Sequence, residues 1–176
     1  MANTFFCSDH HFHHSAILTF TRNDGVTPLR VFDNVEHMNE WMVYSHNRVV
    51  KPKDKVYFLG DVTMARSAES LEILGRMNGE KVLIKGNHDH CKAEQYLKYF
   101  KDIRAVDTHI KDFVLTHVPL HPDCLTRWGT NIHGHLHSNV VLRELSKLPD
   151  PRYVSACMEQ IDYTPISLEE IKAKVR

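Results

Sequence analysis

An excess of charge of either sign is absent from this sequence. Lys and Arg together number 22, Asp and Glu together number 22, and the formal net charge is zero. That balance speaks against tight tracking of duplex DNA or of an anionic membrane surface. Long apolar runs are absent too; none approaches the roughly 20 residues that span a bilayer. The opening Met1-Ala2-Asn3-Thr4-Phe5-Phe6 has neither the basic segment nor the apolar stretch of a secretory signal. The expectation is a soluble, cytoplasmic protein. Cys7, Cys91, Cys124 and Cys157 form no C-x-x-C pair, which argues against a disulfide framework or a cysteine-rich zinc module. Cys7 and Cys157 lie in apolar runs and read as buried small residues. With no repeat, low-complexity tract or Gly/Ser linker, the 176 residues suit one domain spanning 1–176.

Histidine is what the sequence has in excess, 14 residues in all. The histidines are interrupted and recur along the whole chain, unlike an appended tag. Imidazole is a common metal ligand and acid–base group. Around these histidines short apolar runs alternate with helical stretches. Strands are expected at Thr4–Ser8, Lys55–Leu59, Lys81–Lys85, Phe113–Thr116, Thr130–His133, Val140–Leu145 and Tyr153–Cys157. Helices are expected over 34–49 (behind a capping-box pattern at Asp33 to Glu36), Ala68–Met77, Ala93–Phe100, and from Ser167 to about Val175. A βαβ-like first half and a strand-rich second half predict an α/β fold: two packed mixed β-sheets flanked by helices, a four-layer α/β/β/α sandwich.

Five short polar segments follow five of these strands: Asp9-His10-His11, Gly60-Asp61, Gly86-Asn87-His88-Asp89, His117, and Gly134-His135-Leu136-His137. Ligand sites in α/β folds gather beyond the carboxyl ends of strands. Two divalent ions about 3.5–4 Å apart need a shared carboxylate and several N and O ligands around them. Asp61, alone in its segment, suits the shared position. Asp9/His11 and His135/His137 sit two apart, so each pair can fan around one tight turn. Asn87 offers a neutral oxygen. Mixed His, Asp and Asn ligands suit Mn, Fe, Zn or Ni.

In order and complete, these segments resemble the signature of the calcineurin-like metallophosphoesterase superfamily: D-x-H, G-D, G-N-H-D/E, H, and G-H-x-H. The match runs from about residue 5 to 137. The opening Ser8-Asp9-His10-His11-Phe12 and the closing Tyr163 to Glu170 also resemble a small, stand-alone bacterial and phage subgroup. The resemblance implies two divalent metal ions, with Mn2+ first and Fe, Zn or Ni as alternatives. It implies that Asp9, His11, Asp61 and His137 hold one ion, that Asp61, Asn87, His117 and His135 hold the other, and that a bridging hydroxide attacks phosphorus. His88 then protonates the leaving oxygen, and Asp89 orients His88 or a ligand. Asn87 and His88 also face the substrate, and His14 resembles a rim residue of the subgroup that touches the phosphate. Arg30, before Val31-Phe32, is similar to an Arg-Pro-Phe element whose proline is replaced here; it is either a bidentate phosphate contact or a surface arginine.

Plainer roles fit the remaining histidines. His10 and His13 read as packing or rim residues, His90 as a turn residue and His133 as a core residue. His37, His46 and His109 are expected on the surface, and His121 in a loop near His117. Trp41 and Met42 are expected in the core, and Trp128 as a loop anchor rather than a base-stacking platform. The second Asp-Arg pair of the protein phosphatases is missing after Gly60-Asp61. The expected substrate is a small, nucleotide-like phosphodiester or phosphomonoester, with no membrane partner. A nuclease acting on single-stranded ends and a metal-binding, non-catalytic interaction scaffold are the alternatives.

Overall fold

A computed structural model describes residues 2–175. Two β-sheets carry the chain, and the first is made of β1 (Thr4–Cys7), β2 (Lys55–Phe58), β3 (Glu80–Ile84), β4 (Asp102–Arg104) and β8 (Ile166–Ser167). Their order is β4-β3-β2-β1-β8. The first four strands are parallel and β8 is antiparallel to β1. The second sheet holds β5 (Phe113–Leu115), β6 (Thr130–His133) and β7 (Tyr153–Ser155), in that order. Both of its strand pairings are parallel, so only the first sheet is mixed. The fold is thus α/β with two sheets, as expected.

Alternation along the strands builds two cores. Phe5, Cys7, Val56, Phe58 and Leu83 point to one face of the first sheet and pack against helix α1 (Val35–Val49) through Met38 and Met42. Phe6, Tyr57, Leu59, Val82 and Ile84 point to the other face, where they meet Phe113, Leu115, Ile132 and Val154 of the second sheet. Burying each such side chain fully contributes about 1.5–3 kcal/mol. The sheets touch at one end, where Ser8 bridges Cys157 and the Met158 N–H reaches the Ser8 carbonyl at 3.1 Å. That junction brings the ends of β1, β2, β3, β5 and β6 together.

Several local expectations change. Asn34, not Asp33, caps α1, its side chain accepting from the His37 N–H. The helix over Ala68–Arg76 is wound as 3-10, so Leu71 and Leu74, three apart, stack on one buried face. Only Ala93–Tyr96 of the third expected helix is α-helical (α2). Val140–Leu145 is no strand; it leaves the body, with Leu145 97% exposed and a single bridge from Leu142 to Pro149. Trp41 is largely exposed, whereas His46 is buried, its Nε2 at 2.9 Å from the Asn78 carbonyl. Short α3 (Leu125–Trp128) holds a half-buried Trp128, and α4 (Leu168–Lys174) begins in the expected capping box at Ser167 and Glu170. Cys7, Cys91 and Cys157 are buried free thiols. Among the described residues no helix is long and apolar enough to cross a membrane.

Candidate metal centre

All five polar segments arrive at the junction of the two sheets, and their backbones are bent to do so. Asp9, His11, Asp61, His135 and His137 have φ between 50° and 71°. A non-glycine residue in that left-handed region costs about 1–2 kcal/mol. Five such residues among seven expected ligands mark a place where local strain is held by its surroundings. Gly60, at φ 95°, makes the closest approach: a Cβ there would lie 2.6 Å from His117 Nδ1 and 2.7 Å from the Gly86 backbone. Asp89 accepts from the N–H groups of Asp61 (3.0 Å), Val62 (2.9 Å) and Gly86 (2.8 Å), and from the Tyr96 hydroxyl (3.3 Å). It therefore ties the Asp61 and Asn87 loops together and does not orient the His88 ring, which corrects one expectation for it. Burial is the main reason its pKa is raised.

Two groups of side chains that could hold a metal ion result. In the first, Asp9, His11 and His137 each offer an atom within 4.8 Å of the others; in the second, Asp61, His117 and His135 do the same. His11 Nε2 lies 3.8 Å from Asp9 Oδ1, and His137 Nε2 lies 3.9 Å from it. Asn87 Oδ1 joins the second group, 2.9 Å from His117 Nε2 and 3.0 Å from His135 Nδ1. Asp61 links the groups: its Oδ2 is 3.8 Å from His11 Nε2 and 3.3 Å from His117 Nε2, while its Oδ1 accepts from the His88 N–H at 2.8 Å.

The chemistry of these atoms fits divalent ions. Asp9 Oδ1 and both ring nitrogens of His11 are buried and lack any hydrogen-bond partner, a costly state unless a ligand completes it. His117 Nδ1 is 2.7 Å from the Leu59 carbonyl, which can only accept. That nitrogen therefore keeps its hydrogen and Nε2 is the ligating atom. Burial disfavours a charged His117, but Asp61, Asp9 and the Leu59 carbonyl outweigh it and raise its pKa to about 9. Without metal, then, a proton stands where an ion would. Burial would also raise Asp9 and Asp61, yet the neighbouring imidazoles (His11, His137 and His117 for Asp9, His117 for Asp61) hold both carboxyls below the usual range. His135 is lowered, by burial first and by His117 next, and so is ready as a neutral ligand.

Around this pair, His14 and His88 flank His11 with ring centroids 5.6 Å away in each case. His14 is half-buried with a partnerless Nδ1, and burial, followed by the neighbouring His11 imidazole, lowers its pKa. Arg30 is neither of the expected alternatives. It is 2% exposed, so it is neither a surface arginine nor free to meet a phosphate. Its nitrogens donate to the carbonyls of Asp9 (2.5 Å) and His10 (2.7 Å) and to Glu159 Oε1 (2.7 Å). Glu159 also meets His137 Nδ1 at 3.0 Å, and no sequence motif pointed to it. His10 is packed between Phe12 and Phe58, and His133 is a core residue bonded to the Gly134 carbonyl. His13 is exposed beside Asn39, and His37, His90, His109 and His121 lie on the surface.

Comparison with known proteins gives uncharacterized relatives. No family model matches. The chain is 34% identical to uncharacterized protein MJ1445 of Methanocaldococcus jannaschii over 173 residues, covering 97% of this chain and 90% of that protein. It is 28% identical to the gene 66 protein of Mycobacterium phage L5, covering 81% of each chain. Among solved structures, the protein of unknown function AQ665 from Aquifex aeolicus superposes with a TM-score of 0.70 at 28% identity, over 98% of this chain and 99% of that one.

Proposed function

This chain belongs to the family of MJ1445, and from that premise we propose that it is a two-metal phosphoesterase of the calcineurin-like kind, acting on small nucleotide-like phosphodiesters or phosphomonoesters. The observation that carries the reading is Asp61 Oδ2, which faces His11 Nε2 and His117 Nε2 from between two ligand groups. A shared carboxylate oxygen between two N/O ligand sets is what a pair of divalent ions requires. The order of the five segments in the chain supports the same assignment. Mn2+ is the first candidate for both ions, with Fe, Zn and Ni as alternatives. When bound, such ions supply Lewis acidity toward water and toward the phosphate oxygens.

The chain's own groups do the rest. Asp9, His11, Asp61, Asn87, His117, His135 and His137 hold and space the ions. His88, its backbone fixed on Asp61 Oδ1 and its ring beside His11, holds the proton that the leaving oxygen needs. His14 lines the rim on the other side of His11; its Nδ1 is buried, so Nε2 is the nitrogen that would meet a phosphate oxygen. Asp89 keeps the Asp61 loop in place. The fold belongs to the same proposal: an α/β/β/α sandwich.

A chromogenic aryl phosphodiester and the matching monoester, assayed with and without Mn2+, test the reading. Metal-dependent turnover, lost in Asp61→Ala and His88→Ala, supports it. Bound metal with no turnover on esters, cyclic nucleotides or oligonucleotides points to a scaffold instead, and turnover confined to oligonucleotide ends points to a nuclease.

A further inference from the structure

Resting on that two-ion reading, we propose that Glu159 is a positioning residue: it selects the nitrogen of His137 that faces the metal pair, and Arg30 holds it in place. The Glu159 side chain is 1% exposed and that of Arg30 0%. A carboxylate accepts and cannot donate, so the contact of Glu159 Oε1 with His137 Nδ1 requires the hydrogen on Nδ1. Nε2 is then bare on the side facing Asp9 Oδ1. The Gln160 side chain donates to the His137 carbonyl at 3.2 Å, so two consecutive residues fix both the ring and the backbone of that ligand.

Stability alone does not account for this arrangement. A buried ion pair returns little net stabilisation once both charges are desolvated. Arg30 nevertheless uses its whole guanidinium inside the centre, on two carbonyls of the Asp9 loop and on Glu159. Glu159 Oε2 is buried and meets no donor, so the carboxylate's charge is only partly matched by Arg30. The remainder makes the His137 imidazole a stronger donor toward a cation. Residues 9–11, 134–138 and 158–160 are thereby locked to one another by one guanidinium and one carboxylate.

The test is calorimetric titration of Mn2+ into the metal-free chain and into Glu159→Gln, which keeps the size and removes the charge. Wild type is expected to take up two ions. In the variant one ion should bind about 10–100-fold more weakly, the loss typical of an outer ligand partner. The other ion, whose His117 is held by a main-chain carbonyl, should keep its affinity. Unchanged affinities, or an equal loss of both ions, overturn the assignment. A wild-type chain that takes up no ion overturns the two-ion reading itself. Long-range 1H–15N NMR of the Zn2+-loaded wild type gives a second measure that needs no variant. Hydrogen on His137 Nδ1 and metal on Nε2 is expected, and metal on Nδ1 overturns the proposal.

Discussion

His137 is oriented by a buried glutamate 22 residues further along the chain, whereas His117 is oriented by the main-chain carbonyl of Leu59. The half-sites also differ in charge. The first has Asp9 with Glu159 and Arg30 behind it; the second has the neutral Asn87, itself exposed to solvent. Asp61 is common to both. One half is therefore built by long-range pairing of side chains, the other by tight loops whose backbone does the holding. The first should retain its ion more firmly, and the second should exchange more readily.

Removing the shared oxygen erases the difference, and this is the largest effect expected. Asp61→Ala should bind neither ion with wild-type affinity, and ester hydrolysis should fall to the metal-free background; one ion retained at full strength would break the comparison. His88 lies outside both ligand sets, so His88→Ala separates metal holding from chemistry. Calorimetry should still find two ions while kcat drops about 10²–10⁴-fold.

Acid should act on the fold as well as on the centre, and His46 allows the two to be told apart. Burial lowers its pKa to about 4 despite its bond to the Asn78 carbonyl. The unfolded chain binds a proton at His46 below about pH 6.5, and the folded chain refuses it until about pH 4. Its contribution is full above pH 6.5 and declines by about 3 kcal/mol as the pH falls to 4. Urea unfolding of the metal-free chain at pH 7 and pH 4.5 should show a larger loss in wild type than in His46→Gln, the difference being most of this contribution; buried His10 and His133, also held neutral by burial, keep their share of the loss in both. The smallest effect is expected from Asn87→Ala, which removes a neutral ligand from the second half alone. About a tenfold weaker second ion with an unchanged first would mirror Glu159→Gln and sharpen the contrast.

Much of the second half-site was legible in the sequence because its parts are local. Gly60-Asp61, Gly86-Asn87 and His117 each follow an apolar run that is a strand, and a strand's end is a place that sequence pattern can find. The first half-site was legible only to its ligands. Arg30 and Glu159 are 129 residues apart, and nothing in the surroundings of either announces the other. Reading Arg30 by itself left a phosphate contact or a surface residue, both of which its burial excludes. The same limit explains the elements that differ. Val140–Leu145 opens on the apolar run of a strand but pairs with neither sheet, meeting only Pro149 through Leu142, while three-residue β4 has only Ile103 as an apolar member and is made a strand by β3 beside it. His46 resembles any surface histidine until Asn78 and Phe58 close around it.

Diffraction from crystals equilibrated with Mn2+, recorded at the manganese absorption edge, tests the central claim most directly. Two anomalous peaks about 3.5–4 Å apart are predicted, one among Asp9, His11 and His137 and the other among Asn87, His117 and His135, with Asp61 Oδ2 between them. A single peak, or peaks that leave Asp61 touching neither ion, would contradict the account.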